Sequence, residues 1–212
     1  MEEAFWQSRW RDNNIGFHED RSNALLLAHF KQLGLGSGDT VFVPLCGKSV
    51  DLDWLRGNGL HVKGIEFNEG AVRSVFARNA LDPDVSKVGD LKLYASDALK
   101  IFVGDLFALN ADMLGYVSAI YDRAALVALP GETRSQYAAH IRGLTERAPQ
   151  LIVSYDYDQS QTEGPPFSVP FDDVQQLYND HYTGELLSSL PISGPLAQRC
   201  DGKEYASLLT PR

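Results

Sequence analysis

The sequence predicts an α/β protein built on a mostly parallel sheet of about seven strands. Short apolar, β-branched runs alternate with helix-like segments through the middle of the chain, the pattern of repeated strand–helix–strand units. No internal repeat or low-complexity tract interrupts that alternation. The 212 residues, 44% hydrophobic and 22% charged, suit a single globular domain, 1–212, with a core large enough to need no disulfides.

Residues 1–36 precede the alternation and read as a helical, aromatic lid over a core at 37–212. Residues 1–11 are predicted helical, with Phe5, Trp6 and Trp10 near one face. Asp12-Asn13-Asn14 breaks that helix and Gly16 turns the chain. Ser22 reads as the cap of a second helix carrying Leu25, Leu26, Phe30 and Leu33, which Gly34 and Gly36 stop. Residues 40–45 are the first strand, Cys46-Gly-Lys-Ser49 a turn, and a helix runs from Ser49 or Asp51 to about Arg56. Residues 61–66 are the second strand, followed by a helix over 68–79. The polar stretch 81–96, with Pro83 and Gly89, reads as an insertion holding one short strand. Residues 99–103 and 117–121 are the third and fourth strands, the latter ending at Asp122-Arg123. A helix over 132–147 leads to a fifth strand at 151–155. Gly164-Pro-Pro-Phe167 forces an irregular loop and 171–179 a short helix. Residues 182–190 and 204–210 are expected to pair antiparallel at one sheet edge.

The net charge of −9, with no basic run, argues against nucleic acid or an anionic membrane as partner. Two cysteines, Cys46 and Cys200, are too few for a disulfide framework. With no signal-peptide pattern and no apolar run of about 20 residues, a cytoplasmic protein is expected. The five histidines form no H-x-x-x-H pair and none lies near a cysteine, so no metal site is expected.

In an open parallel sheet, ligands sit beyond the carboxyl ends of the strands. Glu66 ends the second strand nineteen residues after Gly47, where a nucleotide-binding unit places its acid for the ribose hydroxyls. Its plain alternative is a solvated strand-end acid. The loop Pro44-Leu-Cys-Gly-Lys-Ser49 has one glycine where G-x-G-x-x-G has three, and Phe42 stands where a phosphate loop needs its first glycine. It therefore disfavours a pyrophosphate ligand and remains compatible with a phosphate-free nucleoside such as S-adenosylmethionine. Asp105, in Val-Gly-Asp-Leu-Phe, can accept from an adenine amino group or simply cap a turn. Arg123 can bind a carboxylate or an anionic substrate, or pair with Asp122 or Glu66. Cys46 reads as a small turn residue before a nucleophile, and G-x-S-x-G is absent. Trp6, Trp10 and Phe17 are either core or a lid whose faces favour a sulfonium cation.

Taken together these residues resemble the thiopurine S-methyltransferase family. The resemblance runs from Phe5-Trp-Gln-Ser-Arg-Trp10 and Gly16-Phe17-His18 through Val43-Pro-Leu-Cys-Gly-Lys-Ser-Val50, Gly64-Ile-Glu66 and Asp122-Arg-Ala-Ala-Leu-Val-Ala128. Ser154-Tyr-Asp156 and Gly164-Pro-Pro-Phe-Ser-Val-Pro170 complete it. It implies a class I, Rossmann-like S-adenosylmethionine-dependent methyltransferase with helices on both faces of the sheet. It carries cofactor contacts onto Trp10, Leu45, Glu66 and Arg123, suggests Asp105 and Leu106 at the adenine, and puts Phe17 against both cofactor and substrate. Arg123 is also a candidate for an anionic substrate, and Asp122 a candidate proton acceptor. The chain is shortened after about Gly194, as in the bacterial members, which are associated with methylation of selenium and tellurium compounds. The implied reaction is direct displacement on the sulfonium methyl by the sulfur of thiopurines and other aromatic or heterocyclic thiols, or by a selenium or tellurium compound, with no metal, in a monomer. A halide or small-thiol methyltransferase and a non-catalytic cofactor-binding protein are the competing readings.

Overall fold

The structure, a computed structural model, describes residues 3–12 and 18–212. Helix α1 (Glu3–Arg11) carries Trp6 and Trp10 one turn apart on one face. Helix α2 (Ala24–His29) runs into a 3-10 turn, Phe30–Leu33, that ends at the left-handed Gly34. Asn23, not Ser22, caps α2: its Oδ1 accepts from the amides of Leu25 at 2.9 Å and Leu26 at 3.3 Å. Strand β1 (Thr40–Val43), helix α3 (Asp51–Gly57), strand β2 (His61–Glu66) and helix α4 (Glu69–Arg78) follow, with Asn68 capping α4. A hairpin, β3 (Asp84–Val88) and β4 (Leu91–Ser96), then precedes β5 (Leu99–Val103). The short helix α5 (Ala111–Leu114), strand β6 (Ala119–Arg123), helix α6 (Gly131–Leu144) and strand β7 (Gln150–Tyr157) complete the parallel core. Helix α7 (Phe171–Tyr178) leads to β8 (Tyr182–Pro191) and β9 (Gly202–Pro211).

Among the described residues the strands form one nine-stranded sheet of order β3-β4-β5-β2-β1-β6-β7-β9-β8. The five strands β5-β2-β1-β6-β7 are mutually parallel, and the four outer strands pair antiparallel. The two strands beyond the expected seven include β3, whose side chains are almost all exposed. An edge strand that buries nothing shows no alternation of apolar and polar residues, so periodicity cannot reveal it. The left-handed Gly89 supplies the two-residue turn, with Val88 paired to Leu91.

Alternating side chains of the parallel strands feed two cores. Phe42, Ile65, Phe102, Ile120 and Ile152 pack with Tyr137 and Ile141 of α6 and Val174 of α7. Val41, Val43, Val62, Ile101 and Tyr121 pack on the other face with Leu25 and Leu26 of α2, Leu52 and Leu55 of α3, and Val72 of α4. Each such side chain contributes about 1.5–3 kcal/mol by leaving water, which clamps the parallel strands and fixes where their carboxyl ends emerge. Among the described residues no helix is long and apolar enough to cross a membrane.

Candidate active site

A cavity of about 470 Å³ opens at the carboxyl ends of β1, β2 and β6. The chain leaves β1 for β2 on one side, while β6 lies on the other. Helices therefore diverge above β1 and leave a crevice there. Two non-glycine residues on its wall, Leu45 after β1 and Ala124 after β6, hold left-handed backbone with φ of 45° and 63°. Such conformations cost about 1–2 kcal/mol each. They turn the chain sharply as it leaves the sheet and keep backbone at the cavity wall.

Glu66, the last residue of β2, lines this cavity and is 6% exposed. Its Oε2 accepts from the Gly47 amide at 2.9 Å and its Oε1 from the Asn68 amide at 2.7 Å. Burial pushes its pKa up, against the backbone donors of Asn68, Gly47 and Phe67. The carboxylate thus ties the loop after β1 to the turn after β2, and it keeps lone pairs for a ligand because a carboxylate has about four. Cys46, behind that loop, is buried with its pKa raised well above the ordinary value by burial and by the Glu66 charge. It stays a thiol. A Cβ on Gly64 would lie 2.8 Å from its Sγ, so it fills the space between β1 and β2 as the small turn residue expected.

Arg123 ends β6, 8% exposed, and its Nη2 meets Oε1 of Glu19 at 2.5 Å. Burial works against the charge, but Tyr155, Tyr121, Glu19 and Asp51 outweigh it and raise the guanidinium pKa. Its ion pair among the described residues is with Glu19, rather than the Asp122 or Glu66 considered from sequence. Trp6 and Trp10 of α1 cover one side of the cavity, and Lys48 Nζ lies 6.0 Å from the Trp10 ring centroid. His18 also lines it, and its Nδ1 is buried without a hydrogen-bond partner among the described residues. Burial and the Lys48 charge lower the His18 pKa, which keeps the imidazole neutral at pH 7. Pro165 and Pro166 also line the cavity, their loop anchored by the Phe167 amide on Val127 O at 2.7 Å.

Of the residues singled out from sequence, the fold brings Trp10, Leu45, Glu66 and Arg123 to one cavity. Asp105 and Leu106 are not among its lining residues. Asp105 is exposed and its Oδ1 accepts from the Phe107 amide at 3.0 Å, capping the 3-10 turn Leu106–Ala108. Leu106 is 1% exposed in the core beneath α6. Asp122 points away from the cavity, as alternation next to Arg123 requires. It is fully buried, accepts from Tyr137 Oη at 2.7 Å and the Leu126 amide at 3.1 Å, and burial raises its pKa to about 6. That makes it a core hydrogen-bond acceptor out of reach of a ligand. Phe17 lies outside the described residues. Glu19 carries no signal in the sequence: it is one of two adjacent acids in His18-Glu-Asp-Arg21, and its partner lies 104 residues away. Among the described residues, no group of three or more His, Cys, Asp or Glu is placed to hold a metal ion.

The family model for thiopurine S-methyltransferase matches residues 1–200. The chain belongs to the thiopurine S-methyltransferase family. It is 45% identical over 210 residues to the thiopurine S-methyltransferase of Xanthobacter autotrophicus, covering 99% of each chain. It is 44% identical over 208 residues to that of Gluconobacter oxydans, covering 98% of this chain and 94% of the other. Membership makes it an S-adenosylmethionine-dependent methyltransferase. Solved structures agree on the fold. An S-adenosylmethionine-dependent methyltransferase from Anabaena variabilis superposes with a TM-score of 0.69 at 12% identity, covering 99% of this chain and 95% of that one. The Burkholderia thailandensis 1,6-didemethyltoxoflavin-N1-methyltransferase, solved with S-adenosylhomocysteine bound, gives 0.67 at 13% identity, covering 98% and 86%.

Proposed function

We propose that this enzyme methylates the sulfur of aromatic and heterocyclic thiols, thiopurines among them, and the selenium of selenols. The observation that carries the reading is the convergence of Trp10, Leu45, Glu66 and Arg123 on one cavity at the switch point of the sheet.

The donor set fits S-adenosylmethionine. A buried carboxylate with free lone pairs suits two vicinal ribose hydroxyls, and that is the role of Glu66. Trp6 and Trp10 offer aromatic faces that favour a sulfonium. Arg123 suits the carboxylate of the amino-acid end. When bound, the cofactor supplies the electrophilic methyl group on its sulfonium. The chain's own contribution is alignment and exclusion of water. Holding two reactants in line lowers the barrier by roughly 7–11 kcal/mol. The two tryptophans and the Pro165-Pro166 wall shape the space between which a flat acceptor lies. Aromatic heterocyclic thiols are more acidic than a free alkyl thiol of pKa about 8.5, so an appreciable thiolate fraction exists near neutral pH and a strong base is not required. The cavity wall also carries Arg9, Lys48, Arg123 and Arg199 against Glu19 and Glu66, in a chain of net charge −9, which favours the thiolate over the thiol. The proposal extends to a cytoplasmic monomer of one domain, a setting with which the buried free thiols of Cys46 and Cys200 are compatible.

Incubation with S-adenosylmethionine and 6-mercaptopurine, with both products quantified by mass spectrometry, tests the reading. Equimolar S-adenosylhomocysteine and S-methyl product are expected. Parallel reactions with a selenol, bisulfide and iodide rank the acceptors. Turnover of iodide or bisulfide without turnover of any aromatic thiol would overturn the proposal.

A further inference from the structure

We infer that Glu19 is the reader of the cofactor's α-ammonium group, acting with Arg123 as a paired acid and base that recognises the amino-acid zwitterion. The inference rests on the cofactor site proposed above. Glu19 and Arg123 both line the cavity, and their charged atoms meet at 2.5 Å. The chain that follows Glu19 is anchored. Four residues on, Asn23 donates its amide to Asp51 Oδ1 at 2.8 Å and its Nδ2 to Glu204 Oε1 at 3.2 Å while capping α2.

An acid beside the arginine is counterproductive for a ligand that brings only a carboxylate, because the two anions compete for one guanidinium. A zwitterion reverses that relation. Its ammonium and carboxylate branch from the same carbon and can lie across an ion pair, ammonium toward Glu19 and carboxylate toward Arg123, so each charge faces two of opposite sign. The remaining lone pairs of the Glu19 carboxylate allow a second bond without breaking the first. The Glu19 side chain is 39% exposed and that of Arg123 6%, so the acid stands at the mouth and the base lies deeper. Without Glu19 the charged lining of the cavity would be Arg9, Lys48, Arg123 and Arg199 against Glu66 alone, which disfavours an incoming ammonium.

The test is calorimetric binding to the full chain and to Glu19→Gln, with three probes. S-adenosylhomocysteine carries both charges, decarboxylated S-adenosylmethionine keeps only the ammonium of the amino-acid end, and 5′-methylthioadenosine has neither. Glu19→Gln is expected to weaken the first two by about tenfold or more, as for loss of a charge-assisted hydrogen bond, and to leave the third within about twofold. Retained methylthioadenosine binding also shows that the variant is folded. Tighter or unchanged binding of S-adenosylhomocysteine would overturn the inference, as would equal weakening of all three probes. Failure of the parent protein to bind any probe would instead refute the cofactor site itself.

Discussion

Replacing Glu66 by alanine separates the two tasks the structure gives that side chain. The first is structural: Oε2 and Oε1 accept from the amides of Gly47 and Asn68 at 2.9 and 2.7 Å. Removing the carboxylate leaves two donors at a cavity wall where water can enter, so the cost is about 1–2 kcal/mol in total. For a chain of this size that is a fall of about 3–6 °C in Tm. The second task is binding. Two ribose hydroxyls donating to a buried carboxylate contribute about 1.5 kcal/mol each at the low end for charged acceptors. Together they correspond to a loss of roughly a hundredfold or more in cofactor affinity. Titration calorimetry with S-adenosylhomocysteine, at a temperature where the variant is fully folded, measures this directly. A dissociation constant within about threefold of the parent would refute the assignment of Glu66 to the ribose. A Tm loss without an affinity loss would leave Glu66 as a loop anchor alone.

Asp122 predicts a pH dependence of stability. Its pKa is raised from 3.8 to about 6 by burial, so the folded protein holds a proton that the unfolded chain releases. The stability this contributes is complete below about pH 4 and is lost as pH rises through 6, a change of about 3 kcal/mol. The stability of Asp122→Asn relative to the parent should therefore rise by that order between pH 4 and 7 in urea unfolding; a constant difference would mean that Asp122 does not titrate in this range. In Gly64→Ala the new Cβ would lie 2.8 Å from Cys46 Sγ, and the strain should cost about 1–3 kcal/mol. Adding Cys46→Ala should recover most of the lost Tm, and failure to do so would place the strain elsewhere. Trp6 and Trp10 line the cavity, whereas Trp54 packs edge-on against Phe30 at 5.1 Å. Intrinsic fluorescence should respond to S-adenosylhomocysteine in Trp54→Phe and lose that response in Trp6→Phe/Trp10→Phe; the reverse pattern would remove α1 from the site.

Strand-end chemistry was readable because it is local. Glu66 ends an apolar run and Arg123 ends another, so a parallel sheet places both at the same rim whatever the details of packing. One short strand was expected within 81–96, but the second strand of the β3–β4 hairpin was hidden by its exposed edge, although Gly89-Asp90 is itself a two-residue turn signal. Asp105 shows the opposite limit. The same Gly-Asp-Leu-Phe sequence permits a base contact or a cap, and the hydrogen bond to Phe107 shows the aspartate capping a turn away from the cavity wall. Asp122 and Arg123 are neighbours in sequence, yet one enters the α6 core and the other the cavity, because successive strand residues face opposite sides.

By itself the sequence determined the α/β class, the five parallel strands and the family, since apolar periodicity and short motifs are properties of contiguous residues. Only the tertiary structure decided which charged groups meet. The contact between Glu19 and Arg123 joins positions 104 residues apart, and no local pattern encodes a pairing that exists only once the chain before α2 has been laid across the end of β6.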